Sequence, residues 1–236
     1  MNGAVVLTSG GLDSSVLLHQ VVREYGAENV RALSFFYGQR HAIELECAEA
    51  QAEAAGVETH VVLDIGFMGA LLAPGSTLLA AGDAVPDLKD LSEADLAQPP
   101  TYVPNRNMML LSMAAAYAEA QGCSRVYYGA QAQDEYGYWD CTETFLERIN
   151  GVLALNRKTP VQVLAPLVHH SKADNVRLGV ELGIDFAQTW TCYRGLGNDT
   201  VAVSERRGCG TCPSCVERIQ AFKAVGVTDP LDPARS

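Results

Sequence analysis

The sequence predicts an α/β protein, a doubly wound parallel sheet followed by a small cysteine-rich C-terminal segment. Three observations predict it. Short apolar runs alternate with longer stretches of helical period, the pattern of a parallel sheet covered by helices on both faces. The first apolar run passes through "TSGGLDSS" (8–15), a glycine-bearing turn into a helix. Four cysteines then gather near the C-terminus at the spacing C-x16-C-x2-C-x2-C.

The elements follow in order. Ala4 to Leu7 are short-chained, continuous and half β-branched, as in a buried strand. Val16, Leu17, Leu18, Val21, Val22 and Tyr25 recur with a helical period, and Gly26 ends that helix. Thr8 to Ser14 are left as the turn between the two. A strand is predicted over 30–38, a helix rich in Ala and Glu over 41–56, and a strand over 57–65. Residues 66–101 carry Gly, Pro, Asp and Ser at short intervals without a period; connections of that length are usually functional or mobile. A helix is predicted over 105–122, with a Met108, Met109 and Met113 stripe facing the core, then a strand over 124–131. A helix over 143–155, a strand over 161–167 and a helix over 171–183 complete the series, the last opened by Ser171 and Asp174 in a capping-box arrangement. Residues 1–187 thus form the α/β domain and 188–236 the cysteine-bearing segment.

Composition narrows the function. The chain has 236 residues, 48% of them hydrophobic, which suits one filled core rather than disorder. No apolar stretch approaches the roughly 20 residues of a membrane span, and the N-terminus lacks the basic and cleavage regions of a signal peptide. A cytoplasmic protein with no membrane partner is the expectation. A formal net charge of −11 argues against nucleic acid as a partner, because that needs clustered Lys and Arg. Seven cysteines without a secretion signal point to metal binding or catalysis before disulfides.

The turn at 8–15 lies where an open parallel sheet binds ligands, beyond the carboxyl end of its strands. Adjacent Gly10 and Gly11 let the backbone approach a ligand closely, and the following helix presents unpaired N–H groups to an anion. A plain tight turn with Asp13 as helix cap is the alternative. The loop lacks the third spaced glycine of a dinucleotide-binding fingerprint and the G-K-[ST] ending of a Walker loop. Ser9-Gly10-Gly11-Leu12-Asp13-Ser14 does resemble the pyrophosphate loop, S-G-G-x-D-S, of the adenine nucleotide α-hydrolase-like ATP pyrophosphatases. That resemblance implies a Rossmann-like fold of the PP-loop ATPase type and attack on the α-phosphate of ATP. Thr8, Ser9, Gly10, Gly11, Leu12, Asp13, Ser14 and Ser15 would then cradle the leaving pyrophosphate, with Asp13 placing Mg²⁺.

Cys192, Cys209, Cys212 and Cys215 suit a closed tetrahedral Zn²⁺ site of structural type, with Gly210 and Pro213 shaping the turns. An iron–sulfur cluster is the rival, since C-x2-C-x2-C also occurs in ferredoxins. Cys47 and Cys123 read as packing residues and Cys141 is left open. His169 and His170 read as loop residues.

Loop and cysteines together resemble one family along nearly the whole chain, the QueC family of 7-cyano-7-deazaguanine synthases in queuosine biosynthesis. The matching segments are SGGLDS, "YGQRHAIELE" (37–46), "TYVPNRNMMLLSMAAAYAEA" (101–120), "GYWDC" (137–141), "SKADNVRLGVELG" (171–183) and "TWTCYRG...CGTCPSC" (189–215). The resemblance implies an ATP-driven conversion of 7-carboxy-7-deazaguanine and ammonia to the nitrile, through an acyl adenylate and an amide, by a homodimer. It makes Arg40, Arg106, Lys172 and Asp13 the candidates for catalysis. Tyr37, Gln39, Arg40, His41, Arg106, Asn107, Asp134, Tyr138, Trp139 and Asp140 are the candidates for substrate contact, with Trp139 as a stacking surface. Three departures stand out: Tyr136, Trp139 and Thr142 replace the family's usual Ser, Pro and Arg, Asn105 replaces a Gly, and the loop between Cys192 and Cys209 is long. They keep a second outcome open, a QueC-like ligase that stops at the amide or passes the acyl group to a protein amine, as relatives in anti-phage defence operons suggest. A different adenylating enzyme, such as a relative of tRNA thiolases, or a non-catalytic nucleotide-binding module is the third.

Overall fold

The computed structural model describes residues 3–39, 43–72, 75–79, 82–93, 95, 98–132, 137–195 and 200–235. Five strands form one parallel sheet in the order β3-β2-β1-β4-β5: β1 Ala4–Leu7, β2 Val30–Phe36, β3 Thr59–Asp64, β4 Arg125–Tyr127 and β5 Gln162–Leu164. Seven helices accompany them among the described residues: α1 Leu12–Tyr25, α2 Ile43–Ala54, α3 Phe67–Leu72, α4 Arg106–Ala120, α5 Glu143–Leu153, α6 Lys172–Glu181 and α7 Pro213–Val225. Strand alternation sorts side chains to two faces. Val5, Leu33, Val126 and Val163 meet α4 and α5 through Leu111, Ala114, Phe145 and Ile149. Ala4, Val6, Ala32 and Tyr127 meet α1 and α2 through Leu17, Leu18, Val21 and Ala52 on the other face. Both faces are covered, as the alternating pattern predicts.

Several boundaries differ from the sequence reading, each for a local reason. Helix α1 starts at Leu12, four residues before its apolar period, because its first turn faces the cavity and carries Asp13, Ser14 and Ser15. Strand β4 is only three residues long; Tyr128 still bonds to Leu164, and the chain then leaves the sheet at Gly129 to line the cavity. Met109 and Met113 pack on the core, but Met108 is 41% exposed, so the methionine stripe is only partly a core stripe. The capping box of α6 is present, with Ser171 accepting from Asp174 N and the Asp174 carboxylate accepting from Ser171 N.

The stretch at 66–101 is tied down where it is described. Thr77 N donates to Pro100 O at 2.8 Å, and Leu88 N to Thr211 O at 3.1 Å. Arg194 donates to Val85 O and pairs with Asp87 at 2.8 Å. Val85 is buried with Ile43 and Cys47 of α2 and with Trp190, Cys192, Cys212 and Cys215. The cysteine segment therefore shares a core with α2. No helix among the described residues is long and apolar enough to cross a membrane.

Candidate active site

All five strands run the same way, but β2 and β3 are added on one side of β1 and β4 and β5 on the other, so the winding switches between β1 and β4, the position where parallel sheets open a crevice at their carboxyl ends. A cavity of about 300 Å³ lies there. Its floor is the loop after β1. Gly10 has φ +78°, and an added Cβ would fall 2.0 Å from Glu44 O and 2.7 Å from Ala48 N, so the glycine lets the loop lie directly on α2. Gly11 is in ordinary extended backbone and lines the cavity instead. The two serines brace the loop: Ser9 N donates to Ser14 Oγ at 3.1 Å, the hydroxyls are 3.0 Å apart, and Ser14 Oγ donates to Gly11 O. Ser15 donates to the same carbonyl at 2.8 Å. Thr8 is buried, with N donating to Leu33 O, and Leu12 is buried against α6 and α7.

Asp13 sits in the first turn of α1, where its carboxylate is held from α6. Lys172 Nζ is 2.5 Å from Asp13 Oδ2, and Asn175 Nδ2 donates to Asp13 Oδ1 at 2.8 Å. Lys172 is 6% exposed and also faces Glu217 of α7 at 3.5 Å. The Lys172 ammonium is thus buried between two carboxylates beside the loop.

The opposite wall carries Arg106, Asn107 and Tyr37. Arg106 opens α4, and its guanidinium lies 5.8 Å from the centre of the Tyr37 ring. Burial pushes the Tyr37 hydroxyl pKa up, with Arg106 opposing. Asp140 fixes the start of α4: its carboxylate accepts from Asn107 N at 3.1 Å, a negative group at a helix N-terminus. Burial raises its pKa, while the Asn107 bond and Arg106 hold it down. Asn107 Nδ2 donates to Cys141 Sγ at 3.2 Å, which leaves Cys141 buried on the cavity wall. Tyr138 lines the cavity with its hydroxyl 2.7 Å from Thr101 Oγ1. Gln39 also reaches the lining but bonds back onto its own turn, through Tyr37 N and Phe35 O.

Two sequence candidates lie elsewhere. Trp139 is 47% exposed and outside the cavity lining; its indole N–H donates to Tyr102 at 2.8 Å and its ring meets Phe145 edge-on. Stacking beneath a planar substrate would require it to leave both partners. Asp140 supports α4 from behind rather than lining the cavity. Arg40, His41 and Asp134 lie outside the described residues, as do Tyr136 and residues 196–199 of the long loop. Thr142, which stands where the family usually has Arg, caps α5 by accepting from Phe145 N at 3.2 Å.

Four residues of the site escaped the sequence reading, three in the cavity lining and Asn175 behind Asp13. Glu44 sits inside the quoted 37–46 segment, one residue into α2, and its burial pushes the carboxyl up to about 7 against the pull of Arg106. Asn175 stands three residues after Lys172, a spacing that puts both on one helix face. Ser214 and Glu217 come from α7 beside the cysteines. A helix launched from a metal knuckle toward the sheet would have flagged them.

The cysteines converge as their spacing implies. Cys192, Cys212 and Cys215 are buried, Cys209 half-buried, and all four Sγ atoms lie within 4.8 Å of one another. A tetrahedral ion with bonds of about 2.3 Å would place sulfurs about 3.8 Å apart, and Cys209 to Cys215 measures 3.9 Å. A four-iron cluster, with its irons at separate corners, would hold the sulfurs further apart. Backbone N–H groups of Arg194 and Cys212 donate to Cys192 Sγ and Cys209 Sγ, which suits thiolates. Gly210, at φ +74°, turns the knuckle. Trp190 links the knuckle to the nucleotide loop, its N donating to Gly10 O and its indole to Cys192 O, both at 2.8 Å.

Fold and loop define the class: a Rossmann-like α/β protein of the PP-loop type, with a four-cysteine cluster near its C-terminus whose geometry fits a metal ion. A family model described as queuosine biosynthesis protein QueC matches residues 3–226, and the chain belongs to that family. It is 45% identical over 228 residues to the 7-cyano-7-deazaguanine synthase of Chromohalobacter salexigens, covering 97% of this chain and 84% of the relative. The 7-cyano-7-deazaguanine synthase of Koribacter versatilis is 44% identical, with 97% and 92% covered. That of Archaeoglobus fulgidus is also 44% identical, with 97% and 89% covered. Among solved structures, NMN synthetase from Francisella tularensis superposes with a TM-score of 0.50 at 15% identity, over 96% of this chain and 78% of that one, a likeness of fold.

Proposed function

We propose that the protein is a 7-cyano-7-deazaguanine synthase, converting 7-carboxy-7-deazaguanine and ammonia to the nitrile at the expense of ATP. The observation that carries this reading is the single cavity that joins an anion cradle to a second charged wall. On one side stand the loop N–H groups, the α1 N-terminus and Lys172, suited to the pyrophosphate portion of ATP. On the other stands Arg106 over Tyr37, suited to a carboxylate or the α-phosphate. The substrate carboxylate attacks the α-phosphorus, pyrophosphate leaves, and ammonia displaces AMP to give the amide. A second ATP activates the amide oxygen, and departure of AMP leaves the nitrile. These steps need positioning and charge neutralisation more than covalent protein chemistry.

Five charged side chains line the described cavity, Arg106 and Lys172 against Asp13, Glu44 and Glu217. Two cations among three carboxylates do not balance a nucleotide polyanion. Asp13 is the carboxylate of the loop that would hold Mg²⁺ accompanying ATP, exchanging its bonds to Lys172 and Asn175 for the ion, which would supply further positive charge. The four thiolates hold Zn²⁺ in a structural role, since protein ligands fill every position. A reducing cytoplasm suits such a site, and a homodimer is part of the same reading.

Mass spectrometry after incubation with ATP, 7-carboxy-7-deazaguanine and ammonium tests it. The nitrile, with AMP and pyrophosphate, is expected. Accumulation of the amide alone, or of a protein-bound acyl group, would contradict the synthase reading.

A further inference from the structure

Of the three carboxylates in the cavity, two are already engaged. Asp13 is held by Lys172 and Asn175, and Glu217 by Lys172 at 3.5 Å and Gln131 Nε2 at 3.3 Å. Glu44 differs. It stands in the first turn of α2 on the cavity wall, and no ion pair or side-chain hydrogen bond joins it to any of the described residues. Among the described residues, the charged and titratable groups that face it are Arg106 from α4, Tyr37 at the end of β2 and Cys47 one turn along α2. Arg106 is not within ion-pair distance, so it biases Glu44 without occupying it. Its backbone is fixed by the close approach of Gly10, so the carboxylate is presented from a rigid element rather than a loop.

A reaction that consumes ammonia meets ammonium in neutral solution, and ammonium has no lone pair for attack. A site for this chemistry needs an unoccupied anion to hold the cation and accept a proton beside the activated carbon. We propose that Glu44 is that group: it binds ammonium in the cavity and takes its proton, releasing ammonia next to the acyl adenylate. This rests on the synthase reading above. In balance, one N–H bond of ammonium breaks and its proton moves to Glu44 Oε, leaving the electron pair on nitrogen. That pair forms the C–N bond to the acyl carbon. The C–O bond to the AMP phosphate breaks, and its electrons leave with AMP. The surplus proton on the new nitrogen departs with the phosphate, and Glu44 returns its own to solvent. Desolvation raises the Glu44 pKa to about 7, which makes it a better-matched acceptor than an ordinary surface carboxylate.

The test separates the two halves of the reaction. Acyl-adenylate formation is read by substrate-dependent exchange of labelled pyrophosphate into ATP, which needs no ammonia. Amide formation is read with ammonium, and separately with hydroxylamine, an amine that is uncharged at neutral pH. Glu44→Gln should retain pyrophosphate exchange and hydroxamate formation while losing about 100-fold or more in kcat/KM for ammonium, the usual scale of a removed general base. Raising the pH should recover part of the loss by supplying free ammonia. Equal loss with hydroxylamine, or an unchanged ammonium kcat/KM, would overturn the assignment of Glu44. Absence of exchange in the unmodified enzyme would instead overturn the synthase reading, and Glu44's role with it. Should the Gln variant fail to fold by circular dichroism, Glu44→Asp takes its place. Its shortened reach should lower ammonium kcat/KM about tenfold or more while hydroxamate formation persists, and an equal fall in both would overturn the proposal.

Discussion

At Gly10 an added Cβ would lie 2.0 Å from the Glu44 carbonyl oxygen, whereas at Gly11 its nearest neighbour, Ser9 Oγ, is 3.2 Å away. Gly10→Ala should therefore damage the fold, since a left-handed backbone costs a non-glycine residue roughly 1–3 kcal/mol even before the clash with α2. Gly11→Val should fold normally and lose ATP binding, because its branched side chain would project into the anion cradle. Thermal melting and titration calorimetry with ATP distinguish the two; matching losses of stability would refute this division. The sequence shows two adjacent glycines and a ligand-binding loop, but not which one serves packing. That depends on α2, more than 30 residues along the chain by number, crossing beneath the loop. Glu44 makes a second test at this scale. Its folded pKa of about 7 stands above the ordinary 4.5, so the folded state holds that proton more tightly. The associated stability is complete below about 4.5 and is lost as pH rises through about 7. In the ligand-free protein, Tm should fall across this window for the native sequence and fall less for Glu44→Gln. Parallel curves would show that the carboxyl titrates as if in water.

Helix α7 connects the metal knuckle to the cavity. It begins at Pro213, within the cysteine motif, and two residues beyond Cys215 it presents Glu217 to Lys172. Its next residue, Arg218, is 2% exposed and bonds Asp229, Thr189, Thr191 and Phe186 O. Cys212→Ser should lower zinc content and ATP affinity together, because metal-site energy is also folding energy. Elemental analysis with nucleotide titration checks this; full ATP affinity in a zinc-free protein would uncouple knuckle from cradle. Asp229→Ala strands a buried guanidinium and should cost about 3–5 kcal/mol, measured by denaturant unfolding. The four cysteines were legible because thiolate spacing is local. Glu217 and Arg218 were not, since their partners come from distant segments. Thr142 carries a similar lesson. Read alone it is a missing positive charge, yet in place it is the N-cap of α5, a role that depends on where that helix begins.

Across the whole molecule, the alternation of apolar runs and helical periods was enough to place five parallel strands between two helical layers, because each face leaves its own periodicity in the chain. The position of the cavity also followed from the sheet. The substrate wall was less legible: Trp139 points to Tyr102 and Phe145, and Asp140 supports α4, contacts that only the assembled chain defines. What unites the cradle, Lys172 and Arg106 in one cavity is a chemical claim, that the substrate's own carboxylate attacks the α-phosphorus of ATP and is activated once more as the amide. Labelling both carboxylate oxygens of 7-carboxy-7-deazaguanine with heavy oxygen tests it directly. Two AMP should form per nitrile, each carrying one labelled oxygen, with unlabelled pyrophosphate. Label retained in an amide product, or appearing in inorganic phosphate or ADP in place of AMP, would contradict the account.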